Sequence, residues 1–485
     1  MFIISFLTTP IIVRFFGVEN YGVWVFVQGF ISYFAIFTSG IPGGVVKFIS
    51  ENKENNIEKN KILNIALLFY CSIGIIISSG LLLGGDYFIS LFEFTQKQRS
   101  VISIMLRIGA FYILFSWPIN VFQAYLTAMI KFTFINIINL LNMIVGFILL
   151  LTCLYLNLNL PIIYFVYSLA TLLINSIYIF YVKSVVKNLK FSFSNFDSKL
   201  GKSLFKFTIG LFILEIISAL AMQTDNFIIA YFLPVTNIAY YNITTKITYL
   251  FRGNVYGMLL LVITPMIFEA QKKGDDLFIR KMIVKGTRYF IIILIPLVSL
   301  FIIIMKPFIT LWMGLDYGRF GYWGSLYMAQ FLFSPITAIM GSVMIGLSKL
   351  KPLQIMSFLM VIVNLILSII FVQKLGFMGV IVGTVSAQYL GFPFIYYLYC
   401  KHSNVHWLDP IKNTWKIFCI IIFLFLIPGF FIVGFIPLKW LLLIIFSTAY
   451  LSILYLVLVL LFVEDEEKNK IKLVLTKYYR FFKKT

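Results

Sequence analysis

Charge is scarce in this chain: 39 basic and 18 acidic residues amount to 12% of its 485 positions, where an ordinary soluble domain carries about a quarter. With 61% of its side chains apolar, it has too few polar groups to cover a water-soluble surface. Histidine and cysteine are nearly missing, at two and four residues. Cys71, Cys153, Cys400 and Cys419 stand singly in or beside apolar runs, without the paired spacing of a zinc or redox site. His402 and His406 sit four apart near a loop with no third ligand, so neither a metal nor a cofactor is expected. Long polar loops are missing too, which removes most routes to a fused catalytic domain.

What is present is apolar length. Fourteen spans are expected, at residues 1–16, 22–48, 62–83, 101–127, 135–156, 161–183, 205–233, 238–268, 286–306, 325–347, 353–372, 378–398, 417–436 and 440–462. As helices they suit a hydrocarbon core of about 30 Å. The expected fold is an all-α integral membrane protein of about 14 transmembrane helices. The first segment lacks a basic leader and a small-residue cleavage site, so it is expected to remain in the mature chain.

Lysine and arginine set the orientation, because positively charged loops stay in the cytoplasm. Loops after even-numbered spans, with their flanks and the C-terminal tail, hold 29 of them, and the opposite side holds seven. Both termini are therefore expected in the cytoplasm. The net charge of +21 is spread among loops, which matches anionic lipid headgroups and excludes a nucleic-acid footprint. The basic tail from Lys468 to Lys484 reads as a short amphipathic helix on the inner leaflet.

An internal repeat divides the chain. At an offset of 217, Ile11, Ile12, Phe15, Val18 and Asn20 fall on Ile228, Ile229, Phe232, Val235 and Asn237. At 218, Lys131, Ile137, Leu141, Ile144, Val145, Ile148 and Leu149 fall on Lys349, Ile355, Leu359, Ile362, Val363, Ile366 and Leu367. Residues 1–183 and 205–398 then form two six-helix bundles. Residues 417–462 add two helices, and 463–485 form a basic cytoplasmic tail. Six spans per copy make this a parallel repeat, and transporters so built hold substrate between the halves. The repeat also places the start of the first span about a dozen residues upstream of Met1.

The segment FFGVENYGVW, from Phe15 to Trp24, resembles the first loop of polysaccharide flippases. Agreement continues in SGIPGGVVKFIS (Ser39 to Ser50), TDNFIIAYFLPVTNIAYYNITTKI (Thr224 to Ile247) and GLSKLKP (Gly346 to Pro352). Together these cover the chain through span 12. The resemblance is to Wzx-type flippases of the multidrug/oligosaccharidyl-lipid/polysaccharide exporter superfamily. It implies a multi-pass bacterial inner-membrane protein that moves undecaprenyl-diphosphate-linked oligosaccharides, for O-antigen, capsule or exopolysaccharide, among membrane lipids and other assembly proteins. Where that family often carries Asp two residues before the glycine of span 2, this chain has Thr38 before Gly40. A cation-coupled drug exporter and a lipid II flippase of the same superfamily are the alternatives, with Na+ or H+ as the coupling ion. A membrane-embedded glycan polymerase would carry a larger outer loop.

Ionisable groups in hydrocarbon are costly and face a bundle interior or water, which makes them the site candidates. Asp225 and Lys246 both lie about 12 Å below the outer boundary at about 1.5 Å per residue, as an ion pair or a gating pair. Arg252, about 21 Å deep, is matched with Glu215 at about 27 Å. Arg252, Arg107, Lys246 and Arg14 are the expected substrate-binding cations, and they outnumber the two carboxylates, as an anionic cargo requires. Arg107 could also snorkel to the headgroups. Gly40, Pro42, Gly43 and Gly44 loosen span 2, either for close packing or as a hinge.

Overall fold

The computed structural model describes residues 2–463 apart from 35, 53–54, 186–196, 348, 404 and 413. The expected C-terminal amphipathic helix lies outside the described residues. Among those described, every regular element is helical. In chain order the helices are α1 (Phe2–Phe34), α2 (Ile36–Glu51), α3 (Asn56–Ser90), α4 (Gln96–Ala128), α5 (Phe132–Tyr155), α6 (Leu160–Val185), α7 (Ser198–Phe232) and α8 (Thr236–Phe251). They continue with α9 (Gly257–Lys273), α10 (Asp276–Lys281), α11 (Thr287–Met313), α12 (Gly321–Ala329), α13 (Ser334–Gly346), α14 (Leu350–Leu375) and α15 (Phe377–Ser403). The last four are α16 (Leu408–Lys412), α17 (Trp415–Cys419), α18 (Ile427–Val433) and α19 (Trp440–Phe462).

Ten helices among the described residues are long and apolar enough to cross a membrane, or eleven if the bent pair Leu315–Ala329 and Ser334–Ile345 is one span. The count of fourteen read from hydropathy is not confirmed. α2, α7 and the α8–α9 run are not among the ten. α2 has only 16 residues, and the α8–α9 run is diluted by Lys246, Arg252 and several threonines.

α1 holds the first expected span and part of the second, separated at Gly17, whose φ of 79° and ψ of 167° break the helix. Only glycine takes that backbone without strain. The repeat places Gly17 on Pro234, and there too the chain turns: Leu233 is extended at φ −140°, ψ 154°, before a proline that cannot continue the helix. The helix that follows the first turn packs against the second. A Cβ on Gly22 would lie 2.3 Å from the Val235 carbonyl oxygen.

The chain forms two compact units, residues 1–242 with 368–380, and residues 243–367 with 381–485. In the first unit α2 packs on α3, α4 and α7, while α4 also packs on α3 and α6. Its aromatic core gathers Phe26 and Phe30 of α1, Phe88 of α3, Phe92 beyond it and Phe227 of α7, with centroids 4.2 to 6.3 Å apart. Rings at those spacings add about 0.5 to 1.5 kcal/mol per pair beyond burial. The second unit is built on α11, against which α12, α13, α18 and α19 pack. The Tyr450 hydroxyl donates to Ser299 at 2.9 Å, and Ser299 donates to the Pro296 carbonyl, fastening α19 to α11.

Candidate functional site

The first polar cluster lies in the first unit, where α7 and α8 fold back on each other. Asp225 is seven residues before the end of α7 and Tyr241 is five residues after the start of α8, so the antiparallel helices bring them to similar heights. Asp225 is only 3% exposed, and the buried Tyr241 hydroxyl donates to its Oδ2 at 2.5 Å. A carboxylate this deep needs such donors, since unpaired burial of its charge is prohibitive. Thr224 beside it donates to the Leu220 carbonyl, so the 3.0 Å contact between its Oγ1 and the Tyr33 hydroxyl has tyrosine as donor. Asn226 follows, buried, and its Oδ1 has no hydrogen-bond partner among the described residues.

Tyr241 is a partner that the expected pairing did not name. Lys246 is half-buried and stands five residues further along α8, about 140° from Tyr241 around the helix axis. In the sequence Tyr240, Tyr241, Tyr249 and Tyr256 recur down span 8 and read mostly as packing or an interface belt, with a minority that could stack on sugar rings, which does not set Tyr241 apart. The spacing of TDNFII against NIAYY carried the signal: residues at equal distance from a turn can meet.

The other expected residues are scattered. Arg14 is exposed on α1, just before the Gly17 break. Arg107 on α4 forms an ion pair with Asp86 at 3.0 Å, and the Ser103 hydroxyl also donates to that carboxylate, at 2.5 Å. Asp86 escaped notice because the adjacent Gly84 and Gly85 read as the end of span 3, whereas α3 runs on to Ser90. Glu215 belongs to α7, and its side chain lies outside the described residues. Gly44 is a packing glycine, since a Cβ there would come within 2.9 Å of Thr208 Oγ1 on α7. Pro42 and Gly43 are half-buried, and the surroundings of Gly40 lie outside the described residues.

Arg252 belongs to the second unit. It is exposed and lies sixteen residues beyond Thr236, about 24 Å along the helix at about 1.5 Å per residue. Two tyrosines near it in sequence are held by hydrogen bonds: the Tyr327 hydroxyl donates to that of Tyr249 at 3.2 Å, and Tyr256 donates to the Ser334 carbonyl at 3.2 Å. The described polar groups therefore comprise carboxylates, hydroxyls, amides, guanidinium and ammonium. No group of three or more His, Cys, Asp or Glu is placed to hold a metal among the described residues, and the four cysteines are free thiols. Such a set can bind and reorient an anionic or hydroxyl-rich cargo.

The sequence profile of the polysaccharide biosynthesis protein family matches residues 1–271. A Salmonella typhi protein named "Putative O-antigen transporter" is 23% identical over 409 residues, covering 82% of this chain and 92% of its own length. Among solved structures, the lipid II flippase MurJ in an inward closed conformation aligns with a TM-score of 0.74 and 16% identity, over 94% of this chain and 96% of its own. An inward-facing multidrug resistance MATE transporter of the MOP superfamily aligns with a TM-score of 0.67 and 16% identity, over 81% and 94%.

Proposed function

The chain belongs to the polysaccharide biosynthesis protein family, and on that premise we propose that it is a flippase for undecaprenyl-diphosphate-linked oligosaccharide repeat units. It carries them from the cytoplasmic to the periplasmic leaflet of a bacterial inner membrane by alternating access, for O-antigen, capsule or exopolysaccharide. The observation that carries the reading is Arg252, an exposed guanidinium sixteen residues beyond the start of α8. Arginine does not deprotonate there, and its planar fork binds two phosphate oxygens at once. The diphosphate is the part of the cargo that apolar helices cannot solvate, so a fixed cation lowers the cost of its passage. The sugar travels with it through a wet path while the polyprenyl tail stays in lipid.

No bond is made or broken in this cycle: the protein is a transporter, not an enzyme. Asp225 and Lys246 are the candidates for gating or for Na+ or H+ coupling, and Glu215 is the group that would take Arg252 when no diphosphate is bound. The names of two similar proteins, a putative O-antigen transporter and a lipid II flippase, support a lipid-linked cargo over a drug.

Complementation tests the reading. In a strain lacking its O-antigen or capsule flippase, the chain should restore surface polysaccharide, Arg252→Lys should keep part of that activity, and Arg252→Gln should abolish it at normal membrane abundance. Full surface polysaccharide from Arg252→Gln would remove the anchor. Rescue of a strain lacking its lipid II flippase, without any surface polysaccharide, would favour the lipid II alternative. A change in drug resistance alone would favour the exporter.

A further inference from the structure

The second unit contains a helix pair that is bent where it could have run straight. α12 ends at Ala329 and α13 begins at Ser334, and the stretch Leu315–Ala329 meets Ser334–Ile345 at 44°. Local sequence explains the break: Pro335 has no N–H to give the Phe331 carbonyl four residues back. The Ser334 hydroxyl donates to that carbonyl instead, at 3.3 Å. Just before it the main chain tightens to a three-residue reach, with the Phe331 N–H donating to Met328 at 3.0 Å and the Leu332 N–H to Ala329 at 2.9 Å. A tight stretch of this kind in the middle of a helix often marks a hinge.

Two tyrosines from different helices grip the break. The Tyr389 hydroxyl of α15 donates to the Ala329 carbonyl at 2.8 Å, and its ring meets that of Phe333 at 5.5 Å. Tyr256, just before α9, donates to the Ser334 carbonyl at 3.2 Å, and its ring meets that of Phe331 at 5.5 Å. Each tyrosine therefore holds one ring inside the break and the carbonyl at one of its ends, since Ala329 closes α12 and Ser334 opens α13. The two arms are tethered to different neighbours, so the angle between them follows from where α9 and α15 stand.

The arms are docked differently. α12 presents small residues to α11: a Cβ on Gly321 would lie 2.2 Å from Lys306 Cα, one on Gly324 would lie 2.8 Å from Met305 Cγ, and the Ser325 hydroxyl donates to the Ile302 carbonyl at 2.7 Å. Small residues let the two backbones approach this closely, which leaves α12 no room to shift. α13 instead buries larger side chains, among them Ile339, Met340 and Met344, and thioethers repack readily. Hydrogen bonds between helices in a membrane are individually modest, so the two tyrosine bonds can be made and broken within a cycle. We propose that residues 330–333 are a hinge, with α12 as its fixed arm and α13 as its moving arm, and that Tyr256 and Tyr389 clasp it in the bent position. The part of the hinge in transport rests on the flippase reading, whereas the clasp does not.

Spin labels on Tyr322→Cys and Ile345→Cys, two exposed positions on the two arms, measure the bend by double electron–electron resonance in the otherwise cysteine-free full chain. Removing a 44° bend between arms of about 12 and about 16 Å, at about 1.5 Å per residue, lengthens the label separation by about 2 Å. Tyr256→Phe with Tyr389→Phe keeps both rings and removes both hydroxyl bonds. That double variant should show the longer, broader distance and a severalfold loss of surface polysaccharide in the complementation assay at parental membrane abundance. Restoring either tyrosine should return part of both. Should the double variant not fold, Tyr389→Phe alone makes the same comparison. An unchanged distance would overturn the clasp. A longer distance with parent-like surface polysaccharide would overturn the part of the hinge in transport. If the parent chain itself gives no surface polysaccharide, the flippase reading fails and the distance still decides the clasp.

Discussion

Asp225 and Asp86 are both aspartates on apolar helices, and their surroundings separate them. Asp225 is buried with the Tyr241 hydroxyl 2.5 Å away, whereas Asp86 meets Arg107 with side chains 61% and 59% exposed. An exposed pair contributes about 0 to 1 kcal/mol, so Arg107→Ala should barely move the thermal unfolding midpoint. Tyr241→Phe removes a donor from a buried carboxylate and should cost about 1 to 3 kcal/mol. If Lys246 is the counter-charge of Asp225, Asp225→Asn and Lys246→Met should each destabilise the protein by about 3 to 5 kcal/mol or stop transport. The swap Asp225→Lys with Lys246→Asp should recover part of the loss. Melting of the detergent-solubilised variants, read beside complementation, measures this, and normal stability and transport in both single variants would show that the charges are dispensable.

Helices here are defined as much by their interruptions as by their apolar runs. Gly17 splits α1, Leu233 and Pro234 separate α7 from α8, and among the described residues three π-turns, Arg252–Tyr256, Met282–Gly286 and Ile420–Leu426, interrupt helices of the second unit. In α2, a Cβ on Gly44 would already crowd Thr208 of α7. Gly44→Leu should therefore overpack that contact, costing about 1 to 3 kcal/mol and lowering abundance. Gly43 is only half-buried, so Gly43→Ala tests the hinge proposal with less disturbance of packing. Loss of transport at parental abundance from Gly43→Ala would favour bending of α2. Equal transport would leave packing as the whole role of these glycines.

At the scale of the molecule, the proposed orientation rests on the bias of lysine and arginine between alternate loops. In a cysteine-free background, a cysteine at Asp275 should be shielded from an impermeant thiol reagent in intact cells, and one at Asp316 should react. Both positions are exposed, so a missing signal reports the membrane and not burial. Labelling at Asp275 would invert the assignment of both termini.

Composition and hydropathy determined the class of this protein, because hydrocarbon admits only backbone that satisfies its own hydrogen bonds, and long apolar runs do so as helices. The motifs around Gly17 and Asp225 determined the family for the same local reason: turns and buried charges are written in consecutive residues. Tertiary structure alone decided which way each side chain points. Tyr241 meets Asp225 across a turn, Arg107 meets Asp86 from another helix, and a π-turn interrupts the helix at Arg252. A repeat of 3.6 residues per turn fixes angles only while the helix stays regular, and packing against distant rings decides where it does not.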